Sequence, residues 1–360
     1  MSFTVLAQDG SSDFTEKFIS LPKHLYSKNE IMQNENDERS LLNGTHILSH
    51  YFSLKAFIVT DEAGKCISRC AVTIYPDDKT AFLGLFESAD DTAAVKELLS
   101  AAEEFAKSSG INRIVGPVDA SFWIRYRFKT DKFGSPYTGE PYNLPYYPKL
   151  WQECGYQICE RYSSNHYIKV ENQVDSEKFS SRLAEKLASG YSIENVTKNG
   201  FNKALKEVYG MLIELYSSFP AYKRINENEF TGLYSYFGSI IRYNMVKMAY
   251  FKNKPVGFFI SIPDYGNTVY GKLSIADYIK IFRIRSKPSG YVMLYMGVDA
   301  EHRGLGKALA EAIRSELKNE GVPSIGALIR DGNINKDYFS SLIDFEYEYI
   351  LLEKLLDQGE

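Results

Sequence analysis

Cysteine is scarce in this 360-residue chain. The four are Cys66, Cys70, Cys154 and Cys159, and no two stand in the tight Cys-x-x-Cys spacing that structural zinc favours. Reduced, buried thiols and no metal are the expectation. Cys66 and Cys70, an even number of residues apart in a predicted strand, should face the same way. No apolar run approaches the roughly 18 residues that a membrane helix requires. The first ten residues lack the basic stretch of a signal peptide, so a cytoplasmic location is the default. An excess of positive charge is also missing, because 42 Lys and Arg stand against 46 Asp and Glu for a net charge of -4. That balance offers no general attraction to nucleic acid or to an anionic membrane. What remains, 44% hydrophobic and 24% charged, is a globular chain long enough for about two ordinary domains.

Self-similarity supports two units. Lys55 to Thr60 and Cys66 to Ile74 read as a β-hairpin around Asp61-Glu62-Ala63-Gly64-Lys65, followed by a strand Ala81 to Phe86, a helix Thr92 to Ser109 and a strand Asn112 to Val115. Met245 to Phe251 and Val256 to Ile262 form a comparable hairpin, and Met293 to Val298 leads into a helix ending near Gly321. Phe86 to Val298 is 212 positions and Gly110 to Gly321 is 211. A tandem α/β duplication follows, with residues 1–170 as one domain, 171–189 as a linker and 190–360 as the other. Asn202 to Ser218, stopped by Pro220, is the predicted first helix of the second unit.

The most informative segment runs Val298-Asp299-Ala300-Glu301-His302-Arg303-Gly304-Leu305-Gly306-Lys307-Ala308-Leu309. A strand ends at Val298, and Leu305, Leu309, Ile313 and Leu317 give the following helix one apolar face. The unpaired N–H groups and partial positive charge of a helix N-terminus suit a diphosphate, and glycines let the backbone approach it. The corresponding loop of the first half, Glu87-Ser88-Ala89-Asp90-Asp91-Thr92-Ala93, has no glycine. Asp90 and Asp91 should cap that helix and repel an anion, leaving one anion site, in the second half.

Arg303-Gly304-Leu305-Gly306-Lys307-Ala308 fits an Arg/Gln-x-x-Gly-x-Gly/Ala signature and resembles the coenzyme A loop of the GNAT N-acetyltransferases. A strand Ser324 to Ile329 and Asn333, opening a further helix, continue that family's order of elements. Over nearly its whole length the chain resembles tandem GNAT proteins with a degenerate first unit, through Leu21-Pro22-Lys23-His24-Leu25-Tyr26, Gly116-Pro117 and Pro141-Tyr142-Asn143-Leu144-Pro145-Tyr146-Tyr147. The resemblance implies an α/β fold with a mixed sheet, two GNAT-like acyl-CoA N-acyltransferase units, and acetyl-CoA as co-substrate. It further implies backbone contacts to the donor from Met296, Gly297 and Val298, diphosphate binding by Gly304, Leu305, Gly306, Lys307, Ala308 and Leu309 with charge from Arg303 and Lys307, and a contact from Asn333 to the coenzyme A arm.

Acetyl transfer requires a neutral amine, a polarised thioester and protonation of the thiolate. The family's usual acid, a tyrosine seven residues after the asparagine, is here Ser340. Tyr338 is the nearest phenol, and water is the alternative. Asp264, in Ile262-Pro263-Asp264-Tyr265, is the candidate base, with a turn residue as the competing reading. Phe122 to Trp151 interleaves aromatics with Arg125, Arg127, Lys129 and Lys132. The acidic balance disfavours single-stranded nucleic acid there, leaving loop packing over a domain seam or a wall for the acceptor. Acetyl transfer to an amine of a small molecule or peptide is thus the leading function. Competing readings are a non-catalytic acyl-CoA-sensing or protein-interaction module, and a transferase of the Fem type. The amine is unknown, and the oligomeric state is open, a homodimer included.

Overall fold

Strand and helix alternate as the two matched patterns require. The computed structural model describes residues 3–171 and 177–357. The first half forms β1 (Thr4–Ala7), α1 (Ser12–Leu25), α2 (Glu35–Leu42), β2 (Ser53–Thr60), β3 (Cys66–Ile74), β4 (Thr80–Ser88), α3 (Thr92–Ser108), β5 (Arg113–Gly116), β6 (Phe128–Lys129), α4 (Tyr147–Glu153) and β7 (Gln157–Tyr167). The second follows with α5 (Glu177–Ala188), β8 (Tyr191–Asn195), α6 (Phe201–Leu215), α7 (Glu227–Tyr234), α8 (Phe237–Ile240), β9 (Val246–Phe251), β10 (Lys254–Pro263), α9 (Ile275–Ser286), β11 (Tyr291–Val298), α10 (Leu305–Glu320), β12 (Ser324–Arg330) and β13 (Ile343–Leu355).

The strands form one mixed sheet in the order β1-β2-β3-β4-β5-β13-β7-β12-β11-β10-β9-β8, with β6 pairing β13 off that path. β4 and β5 run parallel for Thr80 to Phe82 against Arg113 to Val115, and β11 and β12 for Tyr291 to Met293 against Ser324 to Gly326. Thr80 to Tyr291 and Arg113 to Ser324 are both 211 positions, so the duplication holds in register at the centre of each unit.

β13 pairs with β5 of the first half, β7 pairs with β12 of the second, and β7 and β13 pair with each other. Each half thus completes the other's sheet, and the ladder does not divide at the 171–189 connector. Residues 172–176 of that connector lie outside the described residues. The rest of it includes α5, which packs along α10.

The backbone departs from two local expectations. Thr60 pairs with Cys66 but Val59 with Ser68, so a bulge at Ile67 shifts the side-chain alternation of β3. Cys66 and Cys70 therefore enter different core clusters rather than sharing a face. Burial raises both thiols, Cys66 to about 11, which makes them inert fillers of the core. After Asn333 the chain forms two short 3-10 turns, Ile334–Asp337 and Ser340–Leu342, with Phe339 between them at φ 52°, and not a helix. Five residues join β3 to β4, whereas 264–290 separate β10 from β11 and carry α9. This insertion straps the halves together: Asn267 donates to the carbonyls of Lys28 and Ile31, and the Gly139 N–H donates to Tyr270 Oη.

Candidate functional site

Parallel pairing of β11 with β12 stops at Met293 and Gly326, and both strands bulge immediately afterwards. On β11 the partners pass from Met293–Ser261 to Tyr295–Ile260, which leaves Leu294 unpaired. On β12 the register against β7 shifts between Gly326 and Ile329, with Leu328 at φ 59° and its N–H donating to Ser164 Oγ at 2.9 Å. Bulges bend strands, so a wedge opens from Leu294 towards Val298, and the β12-facing edge of Met296, Gly297 and Val298 is left without a ladder partner. Glycine at 297 answers a packing demand: a Cβ there would lie 2.5 Å from the Phe258 ring and 2.7 Å from Leu215.

α10 starts at the open end of the wedge. Its N-cap, Gly304, sits at φ 81° and gives the helix no capping side chain. Leu305, Ala308 and Leu309 are fully buried and anchor the first turn, leaving Gly306 and Lys307 on the open side. A Cβ on Gly306 would stand 3.3 Å from Tyr338 Oη, 3.8 Å from Met296 Cε and 3.9 Å from Val298 Cγ2. Tyr338, Met296, Val298 and the α10 N-terminus therefore converge, whereas Arg303 is exposed on the loop.

Two further cations come from α5. A Cβ on Gly304 would lie 3.2 Å from Arg182 Cδ and Nε, and Lys307 is pushed below its ordinary value by desolvation and by the charges of Lys178 and Arg182. Clustered like charges lowering an amine beside an uncapped helix N-terminus suit a polyanion. Lys178 and Arg182 were missed in the sequence because they lie in the connector, over a hundred residues from the loop, and only the α5–α10 packing unites them.

The first half has the same parallel pairing but no wedge. Val118 N–H donates to Leu83 O at 2.8 Å and Leu85 N–H to Asp119 Oδ1 at 2.6 Å, so residues 117–119 fill the gap. A Cβ on Gly84 would stand 2.0 Å from Val118 O, so glycine is needed for that close approach. Asp91 Oδ1 accepts from Ala93 and Ala94 N–H at 3.0 Å each and occupies the α3 N-terminus. Asp91 does this without Asp90.

Asn333 Oδ1 accepts from Asn335 N–H at 3.0 Å, and the residue also lines the main cavity. The Tyr338 phenol, raised by desolvation, stays protonated at neutral pH. It sits at the helix end of the wedge. Asp264 lies apart from this group, level with Tyr291, roughly 23 Å along β11 from Val298 at about 3.3 Å per residue. Its Oδ1 accepts from Thr138 N–H and Oγ1–H and from Gly266 N–H, all within 3.1 Å, and so fixes the turn against the first half.

A cavity of about 900 Å³ connects the wedge to the seam between the halves. Consecutive residues Met248/Ala249, Phe258/Phe259 and Tyr291/Val292 divide between two core clusters, which puts α6 and α10 on opposite faces of the sheet. The cavity is lined by Leu212 and Tyr216 at α6 and by Ala310 and Arg314 on α10, so it passes through the sheet where the strands part. The aromatic and basic segment supplies its other wall. Phe122 and Trp123 pack edge-on against Tyr222, with Phe122 also on Phe219 and Trp123 on Phe230.

That wall holds a carboxylate the sequence reading did not single out. Gly139 is in contact with the bulge, since a Cβ there would lie 3.2 Å from Leu294 Cδ2. Glu140 beside it is buried and lines the cavity. Its Oε1 accepts from Lys129 Nζ and Tyr349 Oη at 2.6 Å each, while Oε2 has no hydrogen-bond partner. Burial pushes this carboxyl up, and Lys129 partly offsets the shift. Among the described residues no cluster of His, Cys, Asp and Glu is arranged to hold a metal, and no helix is long and apolar enough to cross a membrane.

No protein-family sequence model matches the chain, and no curated protein is similar to it in sequence. Solved structures are similar in fold. A tandem GNAT protein from the clavulanic acid biosynthesis pathway aligns over 100% of this chain and 99% of its own, at 13% identity and a TM-score of 0.53. A GCN5-related glucosamine N-acetyltransferase region of a fungal multi-domain β-N-acetylglucosaminidase aligns over 98% of this chain and 38% of that one, at 14% identity and 0.58. A GCN5-related N-acetyltransferase from Anabaena variabilis ATCC 29413 aligns over 98% and 73%, at 10% identity and 0.51. The fold is that of paired GNAT units.

Proposed function

On a chain with the fold of paired GNAT units, we propose an acetyl-CoA-dependent N-acyltransferase that binds its donor in the second half and its amine acceptor in the seam cavity. The observation that carries this reading is the asymmetry of the halves. One wedge is open beside an uncapped, cation-flanked helix, and the other is filled by residues 117–119 and capped by Asp91.

Acetyl-CoA supplies an activated acetyl thioester when bound. The open amides of Gly304, Gly306 and Lys307 at the first turn that runs to Leu309, with Arg303, Lys307, Lys178 and Arg182, the last also paired with Glu185, hold its diphosphate, because unpaired N–H groups and nearby cations replace the lost hydration. Met296, Gly297 and Val298 offer their unpaired edge to the arm, Asn333 lies along it, and Tyr338 donates a hydrogen bond at the helix end. Its place beside Gly306 makes Tyr338 a donor-positioning residue rather than the acid, so the thiolate is left to water. Glu140 Oε2, sealed beside the bulge and uncovered on acceptor binding, takes the amine proton in place of Asp264, which fixes the turn and lies off the cavity lining. A non-catalytic coenzyme A sensor would share the loop, and turnover separates the two readings. Coenzyme A thiol release is expected to rise above background with at least one member of a panel of small amines and peptides. Tight acetyl-CoA binding without release for any member would contradict the enzyme reading.

A further inference from the structure

Among the described residues five cations are at least nine-tenths buried: Arg69, Arg127, Lys129, Lys247 and Arg314. Four of them meet a carboxylate within 2.8 Å, Arg69 at Glu38, Lys129 at Glu140, Lys247 at Glu316 and Arg314 at Glu311. Among the described residues Arg127, only 7% exposed, meets none. Its guanidinium lies between two phenol rings, with Cζ 3.7 Å from the Tyr126 centroid and 3.9 Å from that of Tyr162. One Nη donates to Tyr126 Oη, and Nε has no partner.

The backbone at Arg127 is also held at φ 91°, with its N–H bonded to Pro117 O at 3.0 Å, a conformation unfavourable for a long side chain. Desolvation without a counter-charge and backbone strain both oppose folding. The two rings offset part of the desolvation, but among the described residues no carboxylate offsets the charge, and the residue lines the seam cavity. The bulge is within reach of its charge, because Arg127 partly offsets the rise that burial gives the Tyr295 phenol on β11.

We propose that the acceptor carries a carboxylate, which Arg127 receives while the acceptor's amine faces Glu140. Two aromatic faces leave only the in-plane edge of the guanidinium for a ligand, and a planar carboxylate matches that edge. Nearby cations are already neutralised, Arg125 by Asp119, Lys129 by Glu140 and Arg330 by Glu160. Among the described residues Arg127 is thus the one cation of the cavity lining without a carboxylate partner, and a single guanidinium suits a monoanion more than a phosphate dianion. Its aromatic lining calls for an apolar body between the two ends. The substrate class is an amino carboxylate with an apolar or aromatic body. The amine half of this statement rests on the acyltransferase reading, whereas the carboxylate half rests on Arg127 alone.

The test uses the full chain, wild type and the variants Arg127→Met and Arg127→Lys, with 3-phenylpropionate and its neutral primary amide as probes followed by ligand-detected NMR. Wild type is expected to bind the acid at least about tenfold more tightly than the amide, the contribution of one charge-assisted hydrogen bond. Arg127→Met should erase the preference, and Arg127→Lys, which keeps the charge but not the fork, should retain only part of it. Calorimetry on the same samples should show unchanged acetyl-CoA affinity. A wild type that binds both probes equally or binds neither, or an Arg127→Met variant that keeps the preference, overturns the proposal. If acetyl-CoA fails to bind while the preference still depends on Arg127, the acyltransferase reading fails and the carboxylate site stands.

Discussion

Exchanging Gly306 for glutamate is expected to weaken acetyl-CoA binding about 100-fold or more without lowering the melting temperature. The carboxylate would project from the first turn of α10, where it takes up the partial positive charge and open amides assigned to the diphosphate and repels that group directly. Lost charge-assisted hydrogen bonds together with repulsion amount to about 3 kcal/mol, two orders of magnitude in affinity. The same carboxylate is favourable for the helix itself, by about 0.3–1 kcal/mol. Asp91 already plays that part on α3. Stability and binding should therefore move in opposite directions, which separates this outcome from misfolding. Gly306→Ala is expected to do far less, because its Cβ meets only ordinary contacts and one 3.3 Å approach to a phenol. Calorimetric titration and a thermal melt measure both effects, and an acetyl-CoA affinity in Gly306→Glu close to wild type would count against this placement of the diphosphate.

Removing the carboxylate of Glu140 is expected to reduce kcat by about 100-fold or more, the range of a positioned general base, while acetyl-CoA affinity stays within about twofold. Glu140→Gln alone leaves Lys129 buried without its counter-ion, a loss on the order of 3 kcal/mol. The double variant Lys129→Met/Glu140→Gln removes that residual charge and should recover much of the stability without recovering turnover. The pH profile gives a second readout. A base acts when deprotonated, and burial lifts Glu140 above the usual carboxylate range. Activity should therefore be lost as pH falls through that raised value. Both variants should lose this acidic limb and keep the higher limb that belongs to the amine. Near-normal kcat in the double variant would remove Glu140 from the mechanism.

What the sequence made legible was local. The α10 loop, the paired hairpins and the 211-residue offset are short-range periodicities, and each reappears within a few residues of its expected bounds. The degenerate first loop could be read as well, since Asp91 beside a helix start has one obvious use. Contacts between remote segments could not be read. The exchange of β7 and β13 joins strands from opposite halves, and nothing in either strand specifies its neighbour. The bulge at Ile67 reversed the parity on which the Cys66 and Cys70 expectation rested. Asn333 was expected to open a helix because it is a good cap, but it caps a single 3-10 turn. Arg182, Glu140 and Arg127 gain their meaning from α5–α10 packing, from contact with Leu294 and from the absence of a counter-ion. Those are properties of the folded chain.

Each chain is expected to hold one donor site, in the second half. Titrating the full-length protein with acetyl-CoA in a calorimeter tests it most directly. Saturable binding with a stoichiometry of one per chain is expected. No binding, or two equivalents per chain, would contradict it.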